Sequence, residues 1–411
     1  MHGVVVGYVL SVAACIPLSG WLADRFGVRN TYFAAIIIFT LASLGCGLSQ
    51  SLNELIVFRI IQGIGGALLL PVGRLAMLKL IPRTQFLSAM SLMSLAGLVG
   101  PLIGPTLGGW LVEVTTWHWV FLINIPMGLL GLLITLKAMP NVKEKTVKSF
   151  DLSGFILLLV AMVGLSLGIE QLASKEYPQW VSLSLLGAGI GSAFIYAYHA
   201  HMHENALFRS TLFHNKIYAI GILGNFFARF GGNAVPFVLP LMLQVAFGFE
   251  PFYTGLMMIP LVLGSLFSKP IVRPIIQRLG YRRVLIINTL LVGSCIASFS
   301  LTTAETPEWL RAIHFFVFGT LNSIQFVSMN TLTLKDLSQQ HASSGNSFLS
   351  MIMMLSMSIG VALAGTLVNI FSQQFGTQDM TRTFHATLIC LGCINIITAV
   401  IFSKIPRNTP V

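Results

Sequence analysis

Asp24-Arg25-Phe26-Gly27-Val28-Arg29-Asn30 joins two apolar runs, residues 4–23 and 31–49. At an offset of 253 residues, Gln277-Arg278-Leu279-Gly280-Tyr281-Arg282-Arg283 joins two more, 252–276 and 283–303. Arg-x-Gly-x-Arg stands in register in both copies. A basic glycine turn repeated between pairs of apolar runs points to a duplicated helical architecture. One large class of membrane transporters is built from parallel repeats of this kind, with the substrate path between the halves.

The rest of the chain agrees with a membrane setting. Of its 411 residues 55% are apolar and 9% are charged, against roughly a quarter charged in soluble domains. The mean hydropathy is +0.83. A soluble fold of this length needs far more polar surface, and disordered chains are poor in apolar residues. Thirteen apolar segments are long enough to cross a bilayer: 4–23, 31–49, 55–79, 86–112, 119–139, 152–170, 181–199, 217–246, 252–276, 283–303, 309–333, 343–371 and 384–403. The alternating pattern of a β-barrel is absent, so the expected fold class is an all-α integral membrane protein.

Charge orients the segments. Eighteen of the 24 basic residues fall in or near one alternating set of gaps and at the C-terminus, and only Lys175, Arg311 and Arg382 fall in or near the opposite set. This is a positive-inside pattern and puts the C-terminus in the cytoplasm. The net charge of +11 is therefore read as a membrane-face anchor, not a nucleic-acid surface. With thirteen spans, Met1 then lies outside with no basic cluster to hold it there. The repeat also leaves segment 217–246 without a counterpart in the first half. Both arguments lead to the expectation of a missing first helix, with thirteen of fourteen spans present.

Specific motifs carry a family resemblance. Gly20 to Asn30 resembles the loop signature of the major facilitator superfamily, and Arg59-Ile60-Ile61-Gln62-Gly63 resembles its fourth-helix motif. Gly100-Pro101-Leu102-Ile103-Gly104-Pro105-Thr106-Leu107-Gly108-Gly109 resembles the fifth-helix motif of antiporters. Trp117-His118-Trp119-Val120-Phe121-Leu122-Ile123-Asn124-Ile125-Pro126 is similar to a run in the fourteen-helix drug:proton antiporter subfamily. Phe150-Asp151-Leu152-Ser153-Gly154 fits the same subfamily. Arg282 to Leu285 and Met329 to Leu337 look closest to a group of multidrug exporters of Gram-negative bacteria. The resemblance implies two pseudo-symmetric six-helix bundles with two extra linker helices. Its expected division is 1–140 (first bundle, five of six helices), 141–216 (linker helices and loops) and 217–411 (second bundle).

The resemblance also implies roles. Asp24, with Arg25 and Arg29, is expected to hold an inward-facing gate closed, and charge pairs at a bundle interface can bias one packing over another. Arg59 is expected to take part in proton coupling. The family's acidic residue in the first helix has no equivalent here, and Glu113 is the stand-in carboxylate. Residue chemistry adds further candidates. Arg229 lies twelve residues into its segment, too deep to snorkel easily, and an intramembrane cation marks a functional site by default. Asn225 is one turn away on the same face, and with Phe226 and Gln244 it completes an expected substrate cavity. Arg229 is expected to tolerate replacement less well than Arg74. The small residues Gly100, Gly104, Gly108 and Gly109 suit close helix approach, and Pro105 suits a bend.

The expected activity is proton-coupled efflux of amphipathic drugs or other small molecules across a bacterial inner membrane by alternating access. An exporter of one metabolite or siderophore, or a truncated non-transporting form, is the alternative. A lipid-acting enzyme would need converging His, Asp or Glu, and the acids are scattered. No cofactor is expected. No metal site is expected either, because His199, His201 and His203 with Glu204 alternate just past a helix end. The expected partners are the substrate, protons and the lipid bilayer, with no nucleic acid. The expected state is a monomer, with room for an accessory periplasmic adaptor.

Overall fold

The computed structural model describes residues 2–144, 147, 149–174, 178–376 and 379–406; the side chains of residues 2–3, 94–99, 101–103, 105–106, 109–110, 112–113 and 173–174 lie outside the description. Among the described residues the regular structure is entirely helical. In chain order the α-helices are α1 (His2–Cys15), α2 (Leu18–Phe26), α3 (Val28–Leu48), α4 (Leu52–Leu80), α5 (Arg83–Val114), α6 (Trp119–Leu122) and α7 (Asn124–Ala138). Then come α8 (Leu152–Ser174), α9 (Gln179–Met202), α10 (Lys216–Phe227), α11 (Arg229–Leu241), α12 (Pro251–Met257), α13 (Ile259–Ser298), α14 (Glu308–Lys335), α15 (Gln339–Phe375) and α16 (Met380–Ser403).

These helices supply the thirteen segments read from sequence. Among the described residues ten helical stretches are long and apolar enough to cross a membrane, and α1 with α2, bent by 58° at Pro17, makes an eleventh. One of the ten, Pro251–Leu301, holds two of the segments, because α13 runs through the second basic turn. Helix α5 completes the set. Segment 217–246 is not one straight helix: it breaks between α10 and α11, carries Pro236 and Pro240, and ends in a π-turn at Met242–Ala246. Pro236 and Pro240 each remove a backbone donor and crowd the preceding turn, which loosens the stretch leading into the π-turn.

The two basic turns have the same backbone device. Gly27 has φ +91° and Gly280 has φ +74°. Each is the point where one helix ends and the next begins, and L side chains rarely adopt that conformation.

The chain packs as two compact units. One comprises Met1–Pro82, Gly108–Asn215 and Leu337–Leu355; the other comprises Arg83–Leu107, Lys216–Asp336 and Ser356–Val411. The first unit centres on Ala23, Val28, Ala35, Leu68, Val72 and Leu75, with Ala342 of α15 packed among them. The second has Val238, Leu239, Ile296, Phe318 and Leu388 in one cluster and Val272, Ile276, Leu285, Val327 and Phe402 in another. There α13 and α14 cross in close approach: a Cβ on Gly264 or Gly319 would collide with the backbone of the other helix. Small residues permit this contact, which packs membrane helices where no hydrophobic gain is available.

The glycine stripe of α5 behaves differently. Among the described residues, a Cβ built on Gly100, Gly104 or Gly108 would meet no atom within 4 Å. The side chains of Pro105 and Gly109 lie outside the described residues.

Candidate functional site

In the first unit the polar side chains converge on the turn at Gly27. Helix α2 ends there, and Val28 N–H donates to Val142 O at 3.0 Å, so the chain following α7 returns to the turn. Lys79, in the last turn of α4, donates to Asp24 Oδ1 at 2.8 Å and to Glu144 Oε1 at 2.7 Å. Its side chain is only 4% exposed. The hydroxyl of Ser343, at the start of α15, donates to the same Asp24 oxygen. Asp24 therefore ties α2, α4 and α15 together. Arg25 is exposed at the end of α2, and Arg29 Nε is buried with no hydrogen-bond partner among the described residues. Of the three expected gating residues, the structure places Asp24 alone in the cluster of paired groups.

The seam continues along one face of α15. Ser347 Oγ lies 2.7 Å from Ser19 Oγ, Asn346 Nδ2 donates to Pro71 O at 2.7 Å, and Ser350 Oγ accepts from Arg74 Nη1 at 3.5 Å. Positions 343, 346, 347 and 350 fall on one helical stripe. Arg74 is fully buried. Sequence ranked it below Arg229, but the two are comparably enclosed. Sequence depth alone could not show that α15 would cover Arg74.

Arg59 lies elsewhere in the same unit. Its guanidinium carbon stands 4.2 Å from the Tyr8 ring centre and 5.7 Å from that of Phe121. Nη1 donates to Gln62 Oε1 at 2.7 Å, Nε to Val4 O at 3.3 Å, and Gln62 Nε2 donates to Ser43 Oγ at 2.6 Å. Cation–π contact with two rings explains how a cation is tolerated there. The side chain of Glu113, the expected carboxylate, lies outside the described residues.

The second unit holds Arg229. Its Nε and Nη2 both donate to Asn225 Oδ1, at 3.1 and 3.0 Å, and Nη2 also donates to Asn330 Oδ1 at 3.2 Å. The Phe326 ring covers the guanidinium at 4.6 Å. Asn225 is held in turn by Gly221 O and Thr333 Oγ1. The structure brings Asn225 and Arg229 together. Phe226 adjoins them, its ring packed edge-on against Phe227 and Phe230. Gln244 is not part of this group: it is exposed in the π-turn beyond α11, about 22 Å along the helical path from Arg229 at 1.5 Å per residue.

The linker helices carry a pair the sequence did not single out. Asp151 Oδ1 caps α8 by accepting from Gly154 N at 2.8 Å, and His199 Nε2 lies 2.9 Å from Asp151 Oδ2. Burial works to raise the Asp151 pKa, but the Gly154 N–H and the His199 and Ser153 hydrogen bonds outweigh it and hold the carboxyl below its ordinary value. His199 also stacks on His203. Among the described residues no group of three or more His, Cys, Asp or Glu could hold a metal. The cue in sequence was an Asp opening one apolar run and a His closing the next.

The family model of the Major Facilitator Superfamily matches residues 2–360 and again residues 221–411. The chain belongs to the major facilitator superfamily. It is a multi-pass membrane protein with a transporter fold. The whole chain is 47% identical, across 414 aligned residues, to proteins of Salmonella dublin and Salmonella newport named for multidrug resistance (MdtD), covering 87% of each. Its fold matches the human organic anion transporter MFSD10 with a TM-score of 0.65 at 15% identity, over 98% of this chain and 83% of that one. It matches the proton:xylose symporter XylE with a TM-score of 0.64 at 16% identity, over 98% and 85% respectively. At such identities the two superfamily structures speak for the fold alone.

Proposed function

We propose that this superfamily member is a multidrug efflux transporter that exchanges protons for amphipathic small molecules by alternating access in a bacterial inner membrane, with its C-terminus in the cytoplasm. The observation that carries this reading is the 47% identity, over the full chain, to relatives named for multidrug resistance. The division into 1–140, 141–216 and 217–411, a monomeric state and room for a periplasmic adaptor belong to the same reading.

Asp24 acts as the gate residue. Its joint hold on Lys79 and on Ser343 supports that role, since breaking it releases α15 from α2 and α4 at once. Arg59 acts in coupling, and Arg229 with Asn225 and Phe226 lines the substrate path. The test is efflux of a fluorescent cationic dye from cells expressing the chain, with and without an uncoupler. Uncoupler-sensitive efflux that falls at least tenfold in Asp24→Asn is expected. Dye retention equal to that of vector-only cells, at confirmed membrane expression, would overturn the reading.

A further inference from the structure

Arg74 is the most enclosed cation in the first unit. It is 0% exposed, and its one hydrogen bond among the described residues, from Nη1 to Ser350 Oγ, is long at 3.5 Å. Nε and Nη2 have no hydrogen-bond partner among the described residues. Those two nitrogens form the edge of a guanidinium that meets two oxygens of a carboxylate or phosphate in a bidentate pair. In the second unit the same edge of Arg229 is closed by Asn225 Oδ1. On Arg74 it is open.

The surroundings are those of a recognition site rather than a packing accident. Asn346, 1% exposed, spends its amide nitrogen on Pro71 O, and its Oδ1 has no hydrogen-bond partner among the described residues. The donation to Pro71 O fixes which end of the amide is which. Ser350 Oγ donates to Asn346 O, leaving its lone pairs toward Arg74. One side therefore offers a charged bidentate donor and the other an unused acceptor. A trapped water could satisfy hydrogen bonds but not the charge, and an uncompensated cation inside a span is costly.

We propose that Arg74, with Asn346 and Ser350, binds a solute bearing a carboxylate or phosphate group, the anion meeting Nε and Nη2 while a hydroxyl or N–H of the solute donates to Asn346 Oδ1. The site lies behind the Asp24 lock. Arg74 is six residues before the end of α4, about 9 Å along its axis, and Ser350 is two turns along α15 from Ser343. Loosening Asp24 from Ser343 lifts the stretch of α15 that covers the guanidinium, so the anion enters as the lock opens. This deepens the transporter reading by adding an anionic group to its substrate class, and it rests on that reading only for the opening step.

The test is ligand-dependent melting of the purified full-length chain in detergent at constant ionic strength, titrated separately with succinate, inorganic phosphate and methyltriphenylphosphonium. A saturable rise in melting temperature with succinate, with phosphate or with both is expected, and which anion acts identifies the group. Arg74→Gln should abolish the saturable rise, and Arg74→Lys, which keeps charge but not the fork, should weaken apparent affinity at least tenfold. If Arg74→Gln does not fold, Arg74→Lys and Asn346→Leu decide. Affinity unchanged in these variants, or no saturable response to either anion, overturns the proposal. Dye efflux is unaffected by that outcome, so failure of the anion site and failure of the transporter reading are separate results.

Discussion

Lys79 Nζ lies 2.8 Å from Asp24 Oδ1, and the lysine side chain is almost wholly buried while the aspartate keeps about a quarter of its surface. The pair joins the last turn of α4 to the last turn of α2, and Glu144 shares the ammonium. Removing the cation leaves two carboxylates facing each other. Removing one carboxylate leaves the cation its second partner. Lys79→Met should therefore destabilise more than Asp24→Asn, by about 1–3 kcal/mol. The double variant should cost less than the sum of the singles, because both changes break one network. Melting curves of the four proteins in detergent check this, and strict additivity would sink it.

The Asp151–His199 pair makes a prediction about acid. The native carboxyl lies below its ordinary value, near 3.9 in model peptides and so ~4 in the unfolded chain. A depressed native pKa contributes stability that is fully present above the unfolded value and is lost as pH falls through the native one. Asp151→Asn should accordingly melt lower than the parent at pH 7, with the gap constant down to about pH 4 and closing below it. A gap that stays constant to pH 3 shows that the carboxylate charge contributes nothing to the clamp.

Much of the fold was legible because each signal was local. Segment lengths, the basic bias and the Arg-x-Gly-x-Arg turns at Gly27 and Gly280 depend on neighbours in sequence, and the helices follow them. The site was legible where a partner lay one turn away, as Asn225 does from Arg229. It was not legible where the partner came from a distant helix. Ser343 meeting Asp24, Asn346 meeting Pro71 and Ser350 meeting Arg74 span some 275 to 320 positions, and a polar stripe on α15 says nothing by itself about what it faces. Likewise Gln244 was grouped with Arg229 as a cavity residue, but fifteen residues of helical path separate the two.

Arg229 is satisfied by two asparagine oxygens and a ring, all buried. Arg229→Gln shortens the reach and strands acceptors on Asn225 and Asn330. Each stranded buried acceptor costs about 1–3 kcal/mol. Dye efflux at equal membrane expression should drop by an order of magnitude or more. Transport equal to the parent would remove Arg229 from the substrate path.

The final prediction concerns Arg59. It forms no ion pair among the described residues, and its charge is held instead by the faces of Tyr8 and Phe121 and by Gln62. A cation–π contact contributes about 0.5–2 kcal/mol depending on desolvation, and the planar guanidinium stacks and forks in a way an ammonium does not. Arg59→Lys keeps the positive charge and removes that geometry. If Arg59 serves coupling through its precise placement beside Gln62, Arg59→Lys should lose uncoupler-sensitive efflux while keeping dye binding to the purified protein. Tyr8→Leu should weaken efflux less, because Phe121 and the Gln62 hydrogen bond remain. Gln62→Leu should resemble Arg59→Lys, since it frees Nη1 and also breaks the link to Ser43. The decisive measurement is dye affinity beside efflux rate for all three variants. Parallel loss of binding and efflux in Arg59→Lys would move the residue from coupling to substrate recognition, and full efflux would remove it from both.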